Sequence, residues 1–285
     1  MPAAHRKPLW LYPNLLSLDA PLVAVAWLYV FIQSWRLYHP WEAYLTLALA
    51  VWGIYAADRL LDASMAGASS VRLEARHEFH QRHRRRFAIG IAVAALIAVV
   101  VVATRMPMTI YKHILLGGVL VAGFFGLSMV SAQESNQVPL TKNILAGIAF
   151  AFGTAMTAHM YRFEFGIEEL VRSREFVCFA ILCILNISAI DYWEHAASST
   201  DVEIKASDEL ALTLPLAALG AAALGYAVME DEAAARPFFY AILTGAALLH
   251  VLNRNRARFS MDALRVLADV ALLVPVIVFI AASAG

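Results

Sequence analysis

Nine stretches of mostly apolar residues, each closed by charge or proline, recur along the chain at about 21–36, 41–63, 87–104, 110–131, 140–161, 176–194, 209–229, 237–252 and 262–283. A helix that crosses a bilayer needs about 20 mostly apolar residues. The pattern therefore predicts an all-α polytopic membrane protein, a bundle of about nine transmembrane helices. The run at 237–252 is short for a span, so its helix either extends into its flanks or tilts against neighbours. If one run were re-entrant, the count would fall to eight. Small-residue stretches at 146–158 and 214–227 suit close helix–helix approach, because small side chains let backbones come together.

Composition sharpens this. Hydrophobic residues make up 61% and charged residues 15% of the 285 positions, against about 45–50% and about 25% in an ordinary soluble domain. A soluble core is excluded, and the whole chain, 1–285, reads as a single transmembrane domain. Net charge is zero, which gives no ground for nucleic acid as a partner; membrane lipids are the expected surroundings. Cys178 and Cys183 fall in one apolar run and read as packing residues. The N-terminal segment is basic and broken by Pro8, Pro13 and Pro21. It reads as an interfacial lead into the first span rather than a removable signal.

Charge in the loops sets an orientation, since cytoplasmic loops carry the excess of Lys and Arg. With nine spans, one side holds 13 such residues, among them Arg6, Lys7, Arg72, Arg76 and Lys142, and the other side 7. The first side is predicted cytoplasmic, with the N-terminus, a basic loop at 64–86 and a loop at 195–208. An inner or cytoplasmic membrane is the expected location.

That side also carries the acidic residues with the strongest claim to chemistry. The second run ends WGIYAADRLLDAS, with Asp58 and Asp62 one turn apart on one helical face. Two carboxylates so placed repel each other, and ionisable residues in a membrane span are candidate functional residues by default. Mg²⁺ would relieve the repulsion, since it takes one or two carboxylates with substrate phosphates and waters. Pairing with Arg59 or the basic loop would relieve it equally well. The sixth run ends DYWEHAASSTD, where Asp191, Glu194 and His195 sit at i, i+3 and i+4 and Asp201 follows.

With YAADRLLD after helix two, DYWEH after helix six and VPLTKNILAGIAFAFGT (138–154) leading into helix five, the chain resembles the UbiA-type intramembrane prenyltransferases. The resemblance implies nine helices, two aspartate-rich motifs that hold Mg²⁺, and transfer of a prenyl group from a prenyl diphosphate to a lipophilic acceptor within the membrane. It implies catalytic roles for Asp58, Asp62 and Asp191. The metal set would be Asp58, Asp62 and Asp191, completed by Glu194 or His195. Arg59, Tyr55, Lys142 and Asn143 would line the diphosphate site. The chain departs from the family pattern at Ile54, where an Asn is usual, at His195, where a second Asp is usual, and in SAQESNQVP (131–139), which replaces a basic segment. These departures keep two alternatives open: a membrane terpene cyclase of the same fold, and a non-catalytic isoprenoid- or lipid-binding protein with a degraded site.

The segment VRLEARHEFHQRHRRRF reads first as an anchor for anionic headgroups. It also reads as a lid offering a phosphate-gripping Arg, or as a histidine metal site at His77, His80 and His83. Asn143 and Asn186 are polar groups within apolar runs, and Asp262, Arg265 and Asp269 stand at helical spacing, with Arg265 and Asp269 expected to pair.

Overall fold

A computed structural model describes residues 8–38, 40–66, 75–106, 108, 110–131, 140–162, 165–230 and 235–284. Arg6, Lys7, Arg72 and the segment 132–139 with Pro139 lie outside these residues, as do the side chains of Arg76, His77 and Lys112.

Every regular element among the described residues is helical. Among the described residues, nine helices of 16 residues or more coincide with the apolar runs: α1 (Asp19–Ser34), α2 (Trp41–Ala66), α3 (Arg84–Arg105), α4 (Ile110–Ser131), α5 (Leu140–His159), α6 (Arg174–Ser198), α7 (Val202–Met229), α8 (Arg236–Asn255) and α9 (Met261–Ser283). Helices α2, α3, α6, α7 and α9 are long and apolar enough to cross a membrane; α1 joins them if it is counted with the bent segment before it. The chain is thus all-α and multi-pass in character among its described residues. The expected nine spans exceed the five or six that pass on length and hydropathy.

Helix starts follow local chemistry. Ser173, Asp201 and Ser260 precede α6, α7 and α9, and each side-chain oxygen accepts a backbone N–H of the first turn, from Phe176, Glu203 and Ala263. Such caps satisfy donors that the helix leaves open. The segment 195–208 is accordingly less of a loop than expected: α6 continues to Ser198 and α7 begins at Val202. The basic stretch 64–86 likewise contains a helix, Ala75–Arg82, and the start of α3.

Helices α1 and α6 form the centre of the bundle. Trp27 on α1 is fully buried, stacks on Phe179 of α6 at 4.5 Å between ring centroids, and donates its Nε1–H to the Leu272 carbonyl of α9 at 2.8 Å. Helix α5 crosses α6 closely at Gly147, where a Cβ would stand 2.7 Å from the backbone N and Cα of Ile184. That contact uses one of the small-residue stretches noted in the sequence. Helix α3 lies at the edge, with Val93, Leu96 and Val99 exposed. Lipid is the natural cover for such a surface in a membrane bundle.

Before α1 the chain forms a hook. A short helix, Tyr12–Leu15, and the turn Leu9–Leu11 meet α1 at 81°. Ser17 takes a positive φ of 57° at the corner. Trp52, midway along α2, donates to the Leu16 carbonyl at 2.9 Å and holds the hook against that helix. Leu9, Trp10 and Leu18 remain exposed on it, as suits a segment lying along an interface.

Candidate functional site

Side-chain bonds gather the ends of five helices, α5 to α9, at one end of the bundle. Asn143, at the start of α5 and buried, donates Nδ2–H to Asp191 Oδ2 near the end of α6 at 2.9 Å. One turn on, Glu194 Oε1 accepts from Arg265 of α9 at 2.6 Å (Nη2) and 3.2 Å (Nε). His195 Nδ1 lies 2.8 Å from Asp208 Oδ2 near the start of α7. Asn253, buried at the end of α8, accepts from Trp193 Nε1 at 3.0 Å and donates to the Glu209 carbonyl at 3.0 Å and to Thr213 Oγ1 at 3.1 Å. Polar groups so deeply buried persist because their partners are supplied.

On the other flank, Arg59 of α2 is buried and points at the hook. It donates to the Asn14 carbonyl and lies 3.5 Å from Asp19 Oδ2; Asn14 Nδ2 donates to the same carboxylate at 2.5 Å. Arg59, expected beside the diphosphate, is thus held by Asn14 and Asp19. Asp58 and Asp62 are partly buried on α2, and the Asp58 carboxylate has its Oδ1 fully buried. Lys142 sits over the ring of Phe124 on α4, 5.6 Å from its centroid.

Between these flanks lies a cavity of about 20 Å³. Tyr55 reaches it from α2, Phe150 from α5, Cys183 and Asn186 from α6, and Asp269 from α9. Helices α2 and α6 thus face a common space, and Asp58 and Asp191 lie three and five residues beyond its lining residues Tyr55 and Asn186, toward the polar end.

The sequence-derived metal set divides on this geometry. Among the described residues no three of His, Cys, Asp or Glu come together as metal ligands. Glu194 is committed to Arg265 and His195 to Asp208, so neither suits a metal as it stands. Asp191 is likewise engaged, by Asn143, and Asp58, Asp62 and Asp191 do not come together as three ligands either, although carboxylates are the donors that Mg²⁺ takes. Arg265, expected to pair with Asp269, bonds Glu194 on α6 and lies 3.5 Å from Asp262 on its own helix. Asp201, the reserve carboxylate, is an N-cap. In the basic segment, His80 is fully buried and stacks on Phe87 at 4.1 Å, and His83 Nδ1 lies 2.9 Å from the Phe79 carbonyl. Both serve packing.

Asn14, Asp19, Asp208 and Asn253 are part of this polar end without having been singled out from the sequence. For Asp19 and Asp208 the signal was present, a carboxylate inside or beside an apolar run. Compared with protein-family models, curated proteins and solved structures, the chain matches none of them.

Proposed function

We propose that this protein is a multi-pass membrane enzyme of UbiA type that transfers a prenyl group from a prenyl diphosphate to a lipophilic acceptor within the bilayer. The observation that supports it best is that Tyr55 of α2, Phe150 of α5 and Asn186 of α6 line one space, three and five residues before Asp58 and Asp191, with Asn143 donating to Asp191. In this reading nine helices span the membrane, the polar end faces the cytoplasm of an inner or cytoplasmic membrane, and the N-terminus lies on that side.

Asp58 and Asp62, with Asp191, are the residues that would hold Mg²⁺, which would supply positive charge to the departing diphosphate. The chain's own groups do the remaining work. Asn143 orients the Asp191 carboxylate by a hydrogen bond. Tyr55 offers an aromatic face that favours a developing allylic cation. The apolar helix faces exclude water from that cation, which would otherwise be quenched. The test is incubation of the purified protein in detergent with labelled prenyl diphosphates and Mg²⁺. Diphosphate release and a prenylated acceptor support transfer, whereas a cyclised hydrocarbon assigns the protein to the terpene cyclases.

A second reading has its own support. With Glu194 tied to Arg265 and His195 to Asp208, half of the second motif is engaged in helix pairing. A non-catalytic isoprenoid- or lipid-binding protein would have that construction. Saturable binding of a prenyl diphosphate without release of diphosphate would assign it so.

A further inference from the structure

The hook at 9–18 has two faces. Leu11, Asn14, Leu15 and Ser17 are buried, whereas Leu9, Trp10, Leu16 and Leu18 are exposed. Three contacts with neighbouring helices fix the inner face. Trp52 of α2 donates to the Leu16 carbonyl, Arg59 of α2 donates to the Asn14 carbonyl, and Ser17 Oγ lies 3.3 Å from Nε2 of His80 in the short helix Ala75–Arg82. His80 in turn stacks on Phe87 of α3, whose ring centroid also lies 6.4 Å from that of Trp52. The exposed apolar face of the hook is thereby held beside the junction of the short helix with α3.

That junction is strongly basic. Arg82, Arg84, Arg85 and Arg86 are all exposed there, and none of the four enters an ion pair among the described residues. The first turn of α3 carries no acidic residue, and Asp19, where the hook meets α1, is taken by Arg59 and Asn14. Successive residues of a helix point about 100° apart, so Arg84, Arg85 and Arg86 fan around its axis. Charge spread in this way suits a layer of anionic groups better than one pocketed ion.

We propose that the hook and the arginine cluster form one lipid-binding surface selective for anionic phospholipid, with the guanidiniums on headgroup phosphates and Leu9, Trp10, Leu16 and Leu18 against acyl chains. Apolar side chains beside cations seat a segment at the boundary between headgroups and acyl chains, and indole rings favour that depth. A soluble polyanion would match the arginines and leave the adjoining apolar face uncovered. Because Trp52 and Arg59 join the hook to α2, lipid bound here steadies the stretch of α2 that carries Asp58. The inference does not depend on prenyl transfer and holds equally for a binding protein.

The test uses the delipidated full chain in a neutral detergent, titrated with phosphatidylglycerol and in parallel with phosphatidylcholine. Native mass spectrometry counts the lipid bound, and the thermal unfolding temperature reads the stabilisation. The wild type should prefer phosphatidylglycerol by about tenfold or more and should unfold at a higher temperature with it. Arg85→Gln should weaken phosphatidylglycerol binding about fivefold, the equivalent of one surface arginine, and the variant with all four arginines replaced by Gln should lose the preference. The single variant remains informative if the fourfold one fails to fold. Leu9→Ser with Trp10→Ser should weaken both lipids alike, since it removes apolar contact and no charge. Arg258→Gln, which removes an exposed charge between α8 and α9, should leave the preference intact. Equal affinity of the wild type for the two lipids overturns the proposal, as does a preference that persists in the folded fourfold variant. Unchanged binding in the Leu9 and Trp10 variant, or an equal loss in Arg258→Gln, overturns it too. Displacement of phosphatidylglycerol by inorganic phosphate or polyglutamate at matched ionic strength would assign the arginines to a soluble anion and overturn it as well.

Discussion

Arg265 is 6% exposed at its side chain and Glu194 32%, which places their pair between two regimes. Exposed pairs contribute about 0–1 kcal/mol, whereas removing one partner of a buried pair costs roughly 3–5 kcal/mol because the other is left uncompensated. Arg265→Met should therefore lower stability by about 2 kcal/mol, read as a fall in thermal unfolding temperature in detergent. Adding Glu194→Gln should recover part of the loss, since it removes the orphaned charge. An additive double variant would show that the two side chains do not interact. The same logic applies to His195 and Asp208, where Asp208 is the more buried member. Replacing His195 by Ala should thus act on stability as well as on any activity, giving a graded effect. These partners are what the sequence could not show: spacing of three or four along one helix made Arg265 and Asp269 visible as a pair, but Glu194 stands 71 positions away.

At the scale of the elements, apolar periodicity made the helices legible and their ends less so. The run at 237–252 ends where Asn253 begins, yet α8 continues to Asn255 because Asn253 finds Trp193, Glu209 and Thr213 on two other helices. A polar residue reads as a boundary until its partners are known. The hook at 9–18 escaped for a related reason: its contacts, Trp52 and Arg59, come from α2. The crossing of α5 and α6 yields a sharper prediction. At Gly147 an added Cβ meets Ile184 Cγ1 at 2.5 Å and the Ile184 backbone at 2.7 Å. Gly147→Ala should destabilise by about 1–3 kcal/mol. Ile184→Ala should rescue it only in part, because truncating the side chain leaves the backbone clash. Thermal scans of the two single variants and the double would measure this, and full rescue would mean that side-chain crowding alone sets the crossing.

For the whole molecule, polar groups gather at both ends of the bundle: Asp191, Glu194 and Asp208 with their partners where α6 finishes, and at the opposite end the Arg174–Glu230 pair at 3.7 Å and Arg162, 4.9 and 4.2 Å from the ring centroids of Trp35 and Phe165. From the loop charge count we propose that the end carrying Asp191 faces the cytoplasm. The two native cysteines are buried, so introduced ones can be labelled against a low background. Ser199→Cys should resist a membrane-impermeant thiol reagent in intact cells and Glu168→Cys, at the other end, should react; the reverse pattern would invert the orientation. What the sequence conveyed of the site was its side of the bundle and its acidic residues, because ionisable groups stand out in an apolar chain. The proposed prenyl transfer rests on Asp58, Asp62 and Asp191, the carboxylates at the motif positions that the family resemblance marks. The central measurement is Mg²⁺-dependent diphosphate release from a prenyl diphosphate by the wild type beside Asp58→Asn, Asp62→Asn and Asp191→Asn, each checked for folding. An amide keeps the shape of the side chain and removes the charge that holds a hard cation, so each variant should lose release while remaining folded. Wild-type release in all three folded variants would contradict the account.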